Sequence, residues 1–401
     1  MTARPGSSAG RSTSSSAGSE RFTLSGSGLQ QDAFKARVES VRAGEFPYLS
    51  KRRTRRDWSS YDAAQESEFP EVIWLVGTIV CKASESFRLP PRFDAVGREP
   101  YSKRDVARLV LAQQYEGRCN RVSIGLLSLL RPHLGIAGTF HPTYKTLERA
   151  YEDPDVISLL NEAFFITQLP VKDLERDFAL DGTCHPTTIK QNWETSKDEI
   201  LRLDESRKRA GAKERRRRRH EFEKTVLAVG TTFKIIASFA RTRSPFSNEC
   251  PYLRPLLEDV VDLYAMVAKV CVDSGLLSRE NCTLIERAGA LPRMFPKKDS
   301  SIKTRGSPAW RKMMVEFVED TQAWLREYHS RSIVETVNST LKRMFVVPLR
   351  KRLVERKATE LLARIVVYNV RQLVYLEHTR GIEIDIQSVP KHVTLMNWMA
   401  H

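Results

Sequence analysis

Two features that mark whole classes of proteins are missing from this sequence: paired cysteines and a long apolar run. None of the six cysteines stands in a Cys-x-x-Cys pair, which argues against a zinc knuckle or a disulfide framework and predicts buried intracellular thiols. No apolar run reaches the roughly 20 residues that cross a bilayer. The longest, around 72–81, is predicted to be a core segment. No secretory apolar segment opens the chain, and we expect no contact with a membrane.

What the chain does have is positive charge. Its 401 residues carry 65 Lys and Arg against 49 Asp and Glu, a formal net charge of +16. The length suffices for two or three domains, and the apolar fraction of 41% is ordinary for a globular protein. An excess of this size favours a polyanionic partner such as nucleic acid, with a merely solvated basic surface as the alternative.

Changes in composition divide the chain into five predicted regions. The Ser- and Gly-rich start predicts a disordered leader, with an organelle transit peptide as the alternative. The basic run 51–56 precedes Trp58 and Tyr61, which suits phosphate contacts and base stacking but equally an exposed linker. The predicted regions are a leader (1–30), a basic N-terminal region of unknown role (31–100), a helical DNA-binding domain (101–170), a catalytic domain (171–380) with a basic insertion at about 195–222, and a C-terminal tail (381–401).

The region 101–170 is predicted to be helical. Ser102 and Asp105 stand at capping-box spacing before an apolar-periodic stretch, and Pro132 is expected to end a second helix. Three short helices with tight turns suit a helix-turn-helix-like module in which residues 143–149 face DNA. A plain helical subdomain is the alternative.

The region 171–380 has strand-like apolar runs first and then alternating strands and helices, the pattern of a mixed α/β sheet with flanking helices. Strands are predicted at 178–180, 224–229, 234–239, 266–272 and 294–295, and helices at 253–264, 280–287 and 310–344. Two basic groups in this region are predicted to contact DNA, although a charge run is more commonly a solvated face. They are Arg215, Arg216 and Arg217 in the insertion, and Lys297 and Lys298 after the last strand.

Two aspartates and one glutamate form the candidate catalytic set. Asp181 and Asp273 each end a predicted apolar strand, and the carboxyl end of a strand is well placed for a crevice at the sheet edge. A lone Asp after a strand is usually a turn former. Two of them together with Glu335 in a predicted helix suit divalent metal ions, because Mg²⁺ prefers hard oxygen ligands.

The helix that carries the glutamate adds two cations and a phenol. At about 100° per residue, Arg331, Glu335 and Lys342 fall within an arc of roughly 60°, with Tyr328 at its edge. A surface stripe of i,i+4 ion pairs would explain Arg331 with Glu335, but neither Tyr328 nor the more distant Lys342.

At these positions the sequence resembles a large group of bacterial and archaeal insertion-sequence transposases. Their signature, Tyr-x2-Arg-x3-Glu-x6-Lys, is matched without a gap by Tyr328, Arg331, Glu335 and Lys342. The order Asp, Asp, Glu also matches, with the aspartates in FALDGT and VCVDSG. The resemblance extends over roughly 97–376.

The resemblance implies an RNase H-like catalytic domain of the DDE class. Asp181, Asp273 and Glu335 would be the ligands of two Mg²⁺ or Mn²⁺ ions, and the other three signature residues would contact phosphate. The implied activity is hydrolysis at the transposon ends, followed by attack of the freed 3′-hydroxyl on target DNA. The expected partner is double-stranded DNA, bound by a homodimer because two ends must be joined, in the cytoplasm of a prokaryote in association with the nucleoid.

Two alternatives to a working transposase stay open. One is a nuclease of the same fold that cuts DNA without joining it. The other is a catalytically decayed or repurposed DNA-binding protein descended from a transposase. His185 and His329 could act as general bases but are better explained as exposed or structural residues, and Trp310 and Trp324 as core residues rather than platforms for bases.

Overall fold

The computed structural model describes residues 27–47, 57–86, 100–187, 222–346 and 348–386. The helices are α1 (Ser27–Arg42), α2 (Trp58–Ser86), α3 (Lys103–Glu116), α4 (Asn120–Leu134), α5 (Tyr144–Ala150), α6 (Pro154–Ile166), α7 (Leu253–Leu263), α8 (Arg279–Arg287), α9 (Pro308–Glu319), α10 (Thr321–Tyr328), α11 (Ser332–Met344) and α12 (Val354–Arg380). Short 3₁₀ turns cover Leu169–Val171, Cys250–Tyr252, Ser274–Leu276 and His329–Arg331. The strands are β1 (Asp177–Pro186), β2 (Phe222–Gly230), β3 (Ile236–Arg241), β4 (Lys269–Val272) and β5 (Leu291–Met294).

The five strands form one mixed sheet in the order β3-β2-β1-β4-β5. The first three strands pair antiparallel, whereas β4 pairs parallel to β1, and β5 parallel to β4. The residues 225–230 of β2 are all buried, and consecutive strand residues point to opposite faces, so both faces of this strand are covered. The prediction of a mixed α/β sheet with flanking helices is confirmed, and the arrangement fits an RNase H-like fold.

The helices that precede the sheet pack around the last helix of the chain. Helices α2, α3 and α6 all contact α12, and their buried side chains share one apolar core with those of the sheet. Asn369 joins α12 to the sheet, because its fully buried amide bonds the backbone N–H and C=O of Ile236 in β3. The segment 72–81 lies in α2 and contributes to this core, as predicted.

Several predicted bounds of the helices are wrong. Helix α4 continues through Pro132 to Leu134, because the Leu134 side chain is fully buried and its backbone packs closely against Gly77. Tertiary burial therefore outweighs the low helix propensity of proline here. Ser102 is the N-cap of α3, but its side chain makes no capping hydrogen bond.

The long helical region predicted over 310–344 consists of three helices, with a 3₁₀ turn between the second and the third. Asp320 separates α9 from α10, since its side chain caps α10 by accepting a hydrogen bond from the Ala323 N–H. The 3₁₀ turn follows Tyr328, where the hydroxyls of Ser330 and Ser332 donate to backbone carbonyls three residues earlier. Such local hydrogen bonds compete with the regular helix.

The thiol prediction is correct only in part. All six cysteines are free. Cys271 and Cys282 are buried, but Cys119 is exposed and the other three are half-buried. Among the described residues, no helix is both long and apolar enough to cross a membrane.

Some predictions fall outside the described ranges. They concern most of the leader, the basic run 51–56, nearly all of the insertion at about 195–222 with Arg215, Arg216 and Arg217, and the tail after 386.

Candidate active site

The two aspartates are neighbours on adjacent parallel strands. Leu180 of β1 pairs with Val272 of β4, so Asp181 and Asp273 are the next residues on strands that lie about 4.8 Å apart. Asp273 follows the end of β4, as predicted. Asp181 lies inside β1 rather than at its end, because β2 supplies backbone partners for β1 beyond this point.

The glutamate comes from a helix that packs on the same strands. Helix α11 contacts β1 and β2, and it buries Val334, Val337 and Leu341 on one side. This apolar side fixes the rotation of the helix. Glu335, in its first turn, is left at the exposed edge next to the aspartates.

The guanidinium of Arg331 lies between all three carboxylates. Its Nη2 is 2.5 Å from an oxygen of Glu335, and its Nη1 is 4.0 Å from Asp181 and 3.9 Å from Asp273. The acidic side chains differ in exposure, from 20% for Asp181 and 40% for Asp273 to 54% for Glu335. One guanidinium thus contacts three carboxylates that come from three different parts of the chain.

The oxygen atoms of these carboxylates are of the type that a divalent metal ion binds. Within the described parts of the chain, no three His, Cys, Asp or Glu side chains stand at metal-ligand spacing. The three carboxylates nevertheless each reach within 4.0 Å of one guanidinium, so they can share a centre of positive charge. All of them offer the hard oxygen atoms that Mg²⁺ and Mn²⁺ prefer.

The environment of Asp181 disfavours its charged form. Burial raises the pKa of Asp181 to about 7, and the nearby carboxylates of Asp273 and Glu249 add to the rise. The Arg331 guanidinium acts in the opposite direction. A bound cation would favour the ionised carboxylate further.

Glu249 is a fourth carboxylate at this site, which the sequence analysis did not single out. It pairs with Lys224 at 2.6 Å and lies directly over the glycines that follow the two aspartates. A Cβ at Gly182 would come within 2.3 Å of its Oε1, and a Cβ at Gly275 within 3.2 Å of its Oε2. No local motif marks this glutamate, because the contact depends on residues far apart in the chain.

Tyr328 lies between the buried Trp324 and the Arg331 guanidinium. Its ring stacks on Trp324 with centroids 5.3 Å apart, and the Arg331 guanidinium lies 5.9 Å from its centroid. Burial raises the pKa of Tyr328, so the phenol stays protonated and can donate a hydrogen bond. Trp310 and Trp324 are buried, which confirms the prediction that both belong to the core.

The other described lysines that are predicted to contact phosphate lie in two places. Lys342 is exposed and lines the same groove as Asp181 and Glu335. Lys297 and Lys298 are exposed in the loop after β5, where Lys298 lies 3.8 Å from Glu39.

His185 is structural, as predicted. The ring is buried and its Nε2 lies 3.0 Å from the Thr225 hydroxyl. Burial lowers the pKa of His185 to about 3, with smaller contributions from Arg364 and Lys342. A histidine that stays neutral and enclosed in this way is a poor general base for a substrate in the groove.

We expect this histidine to make the fold sensitive to acid. The unfolded chain takes up a proton near pH 6.5 but the folded chain does not, so stability is lost as the pH falls below 6.5. The free energy of unfolding should drop by up to about 1.4 kcal/mol per pH unit from this group. Urea unfolding between pH 4.5 and 6.5 measures this effect. The free energy of unfolding of His185→Gln should change less steeply with pH than that of the wild type, whereas a substitution at the exposed His133 should leave the wild-type pH dependence in place. An unchanged slope in His185→Gln would contradict the assignment.

Comparison with known proteins decides the family. The family described as the transposase DDE domain matches residues 172–370, a range that includes all five strands and the three carboxylates. The chain belongs to the DDE transposase family. It is also 26% identical to a protein of Archaeoglobus fulgidus, a probable transposase for insertion sequence element ISA1214, over 262 residues that make up 65% of this chain and 72% of that protein. No solved structure matches the chain.

The matched part of this transposase begins just before β1 and ends within α12. The helices α1 to α6 precede it, and their predicted role in DNA binding stays a prediction. Thr143 caps α5, and Tyr144, Lys145 and Arg149 of that helix are exposed. The division of the chain into a helical and a catalytic domain also stays a prediction.

Proposed function

We propose that this transposase cuts DNA at the ends of its element and joins the freed 3′-hydroxyl to target DNA. The observation that carries the proposal is the convergence of Asp181, Asp273 and Glu335 on one cation beside an open groove. Members of the family typically use divalent metals, and these three carboxylates would hold two Mg²⁺ or Mn²⁺ ions. Such ions, when bound, stabilise negative charge on the attacking and leaving oxygens of a phosphodiester.

The chain's own residues would bind and orient the substrate. Arg331 offers a planar fork that suits two phosphate oxygens, and Lys342 a mobile charge at the edge of the groove. The protonated phenol of Tyr328 can donate to a third oxygen. Arg331 contacts the carboxylates, Tyr328 lies against Arg331, and Lys342 lines the same groove, so together they can hold a phosphodiester beside the carboxylates.

Double-stranded DNA is the proposed partner, as transposon end and as target. The surplus of cations would supply the long contact with DNA, with Lys297 and Lys298 in the loop after β5 and Arg215, Arg216 and Arg217 in the insertion. We further propose a homodimer on DNA, because two ends must be joined in one reaction, and association with the nucleoid of a prokaryotic cell.

DNA affinity is expected to depend steeply on salt. Each phosphate contact releases condensed counterions, so six to ten contacts should lower affinity by about 10³–10⁵-fold between 50 and 200 mM salt. Fluorescence anisotropy of an end duplex over this range measures the slope. A flat response would contradict binding through the basic groups.

The decisive test uses purified protein and labelled DNA that carries the ends of its element. Cleavage and joining that require Mg²⁺ or Mn²⁺, and are lost in Asp273→Ala, would establish the proposed activity. Cleavage without joining would indicate a nuclease. Binding without cleavage in either protein would indicate a DNA-binding protein that has lost catalysis.

A further inference from the structure

An open groove of about 650 Å³ runs from the carboxylates along the contact between β1 and α11. One wall is formed by residues 181–183 of β1, and the other by the exposed edge of α11 from Glu335 to Lys342. Two of the three proposed metal ligands, Asp181 and Glu335, line this groove. The walls beyond them contain two polar groups to which no role has been assigned above.

These two groups are the Oγ1 of Thr183 and the Oδ1 of Asn338. Thr183 is 4% exposed and Asn338 is 7% exposed, and neither oxygen has a hydrogen-bond partner among the described residues. Buried polar atoms are almost always paired, because leaving one unpaired forfeits its hydrogen bonds to water. Two such atoms in one groove therefore indicate a site built for a polar ligand.

Each of them stands next to one of the carboxylates. Thr183 is two residues after Asp181 in β1 and shares its face of the sheet, while Asn338 follows Glu335 by one turn of α11. The backbone of Thr183 is held by its partner Thr225 in β2, so only the hydroxyl is left for a ligand. The next residue on that face, His185, has a partner in the Thr225 hydroxyl, which sets Thr183 apart from its neighbours.

We propose that Thr183 and Asn338 bind the attacking hydroxyl group of the reaction: the water in end cleavage and the 3′-hydroxyl of the DNA end in joining. This inference rests on the function proposed above and assigns two further substrate-binding residues to it. The amide oxygen of Asn338 only accepts hydrogen bonds, and the hydroxyl of Thr183 can accept one or donate one. A hydroxyl nucleophile can donate to Asn338 and still keep a lone pair for attack.

The chemistry of the groove favours a hydroxyl over other groups of DNA. Phosphate oxygens only accept hydrogen bonds, so they cannot pair with the unpaired amide oxygen of Asn338, and Arg331 and Lys342 already supply the cations that phosphate needs. A base amine could donate to Asn338, but Asp181 and Glu335 line the same groove, and the attacking oxygen must lie beside them. The bonds balance as usual: a lone pair of the attacking oxygen forms the new P–O bond while the P–O3′ bond breaks, the nucleophile releases its proton to solvent, and the leaving oxygen takes one from solvent.

The test compares DNA ends that differ by one hydroxyl group. Wild-type protein and the variants Thr183→Val and Asn338→Leu are titrated, in Ca²⁺ buffer, with precut end duplexes that terminate in a 3′-hydroxyl or in a 3′-hydrogen. We expect the wild type to bind the hydroxyl end about tenfold more tightly, as a hydrogen bond to a buried group would produce. Both variants should bind the two ends equally, at the level of the wild type with the 3′-hydrogen end. Thr183→Ser, which keeps the hydroxyl, should restore the preference.

Thermal unfolding separates this role from a structural one. Thr183→Val removes an unpaired buried group and should leave the melting temperature unchanged or higher, whereas the matched control Thr225→Val breaks the bond to His185 and should lower it. Two outcomes would overturn the proposal. If the variants lose affinity for both DNA ends alike, the two residues recognise a base edge. If the variants still prefer the 3′-hydroxyl end as the wild type does, the two residues do not bind that hydroxyl. If the wild type neither binds nor cuts end DNA, the proposed function itself fails.

Discussion

Replacing Asp181, Asp273 or Glu335 with the matching amide should abolish both DNA cleavage and strand joining. A charged ligand in a metal site supplies several kcal/mol of charge stabilisation, so the rate should fall by about 10³-fold or more. DNA binding should be largely retained, because the proposed phosphate contacts come from cations elsewhere in the site. Single-turnover assays with labelled end duplexes measure both steps, and gel-shift titrations measure binding.

The control for these variants is Asp262→Asn, an exposed aspartate in α7 that should keep full activity. Folding can be checked at the same time. Burial raises the pKa of Asp181 to about 7, so at pH 8 the charged carboxylate lowers the free energy of unfolding. The melting temperature of Asp181→Asn at pH 8 should therefore be no lower than that of the wild type. Retained cleavage in any of the three variants would contradict the metal assignment. Joint loss of binding and folding would show that the carboxylates are structural.

Removing the guanidinium between the carboxylates should have opposite effects on stability and on metal binding. In Arg331→Gln the three acids face one another without a cation, so the metal-free protein should lose roughly 1–2 kcal/mol, after allowance for their partial exposure, and melt a few degrees lower. The same negative potential should raise affinity for Mn²⁺ by about tenfold. Calorimetric titration with Mn²⁺ and melting curves with and without the ion measure both effects.

The matched control is Arg326→Gln, which removes an exposed arginine from the neighbouring helix α10 and should change neither quantity. Cleavage by Arg331→Gln should still be poor, since the residue is also a proposed phosphate contact. An Mn²⁺ affinity equal to that of the wild type would show that Arg331 does not compete with the metal. A fall in affinity would show that it holds the carboxylates in place for metal binding.

The predictions from sequence were best where local pattern and tertiary burial agree. β2 and the helices α7 and α8 were predicted to within two residues at each end, because each has a clear apolar pattern and clear breaks at its ends. The family and the order of the three acids also followed from the motifs. The wrongly predicted bounds of β1 and α4 have a shared cause, which is a tertiary contact. β1 extends past Asp181 because β2 pairs with it there, and α4 passes Pro132 because Leu134 is buried.

Sequence alone therefore determined the positive charge, the mixed sheet and the likeness to insertion-sequence transposases, since composition, periodicity and motif spacing are local properties of the chain. Only the tertiary structure decided that Arg331 lies between the three carboxylates, that Glu249 covers the glycines beside the aspartates, and that Thr183 and Asn338 lie buried and unpaired along one groove. The last of these relations joins β1 to α11, about 150 residues later in the chain. It depends on how the helix packs against the sheet, which no local pattern encodes.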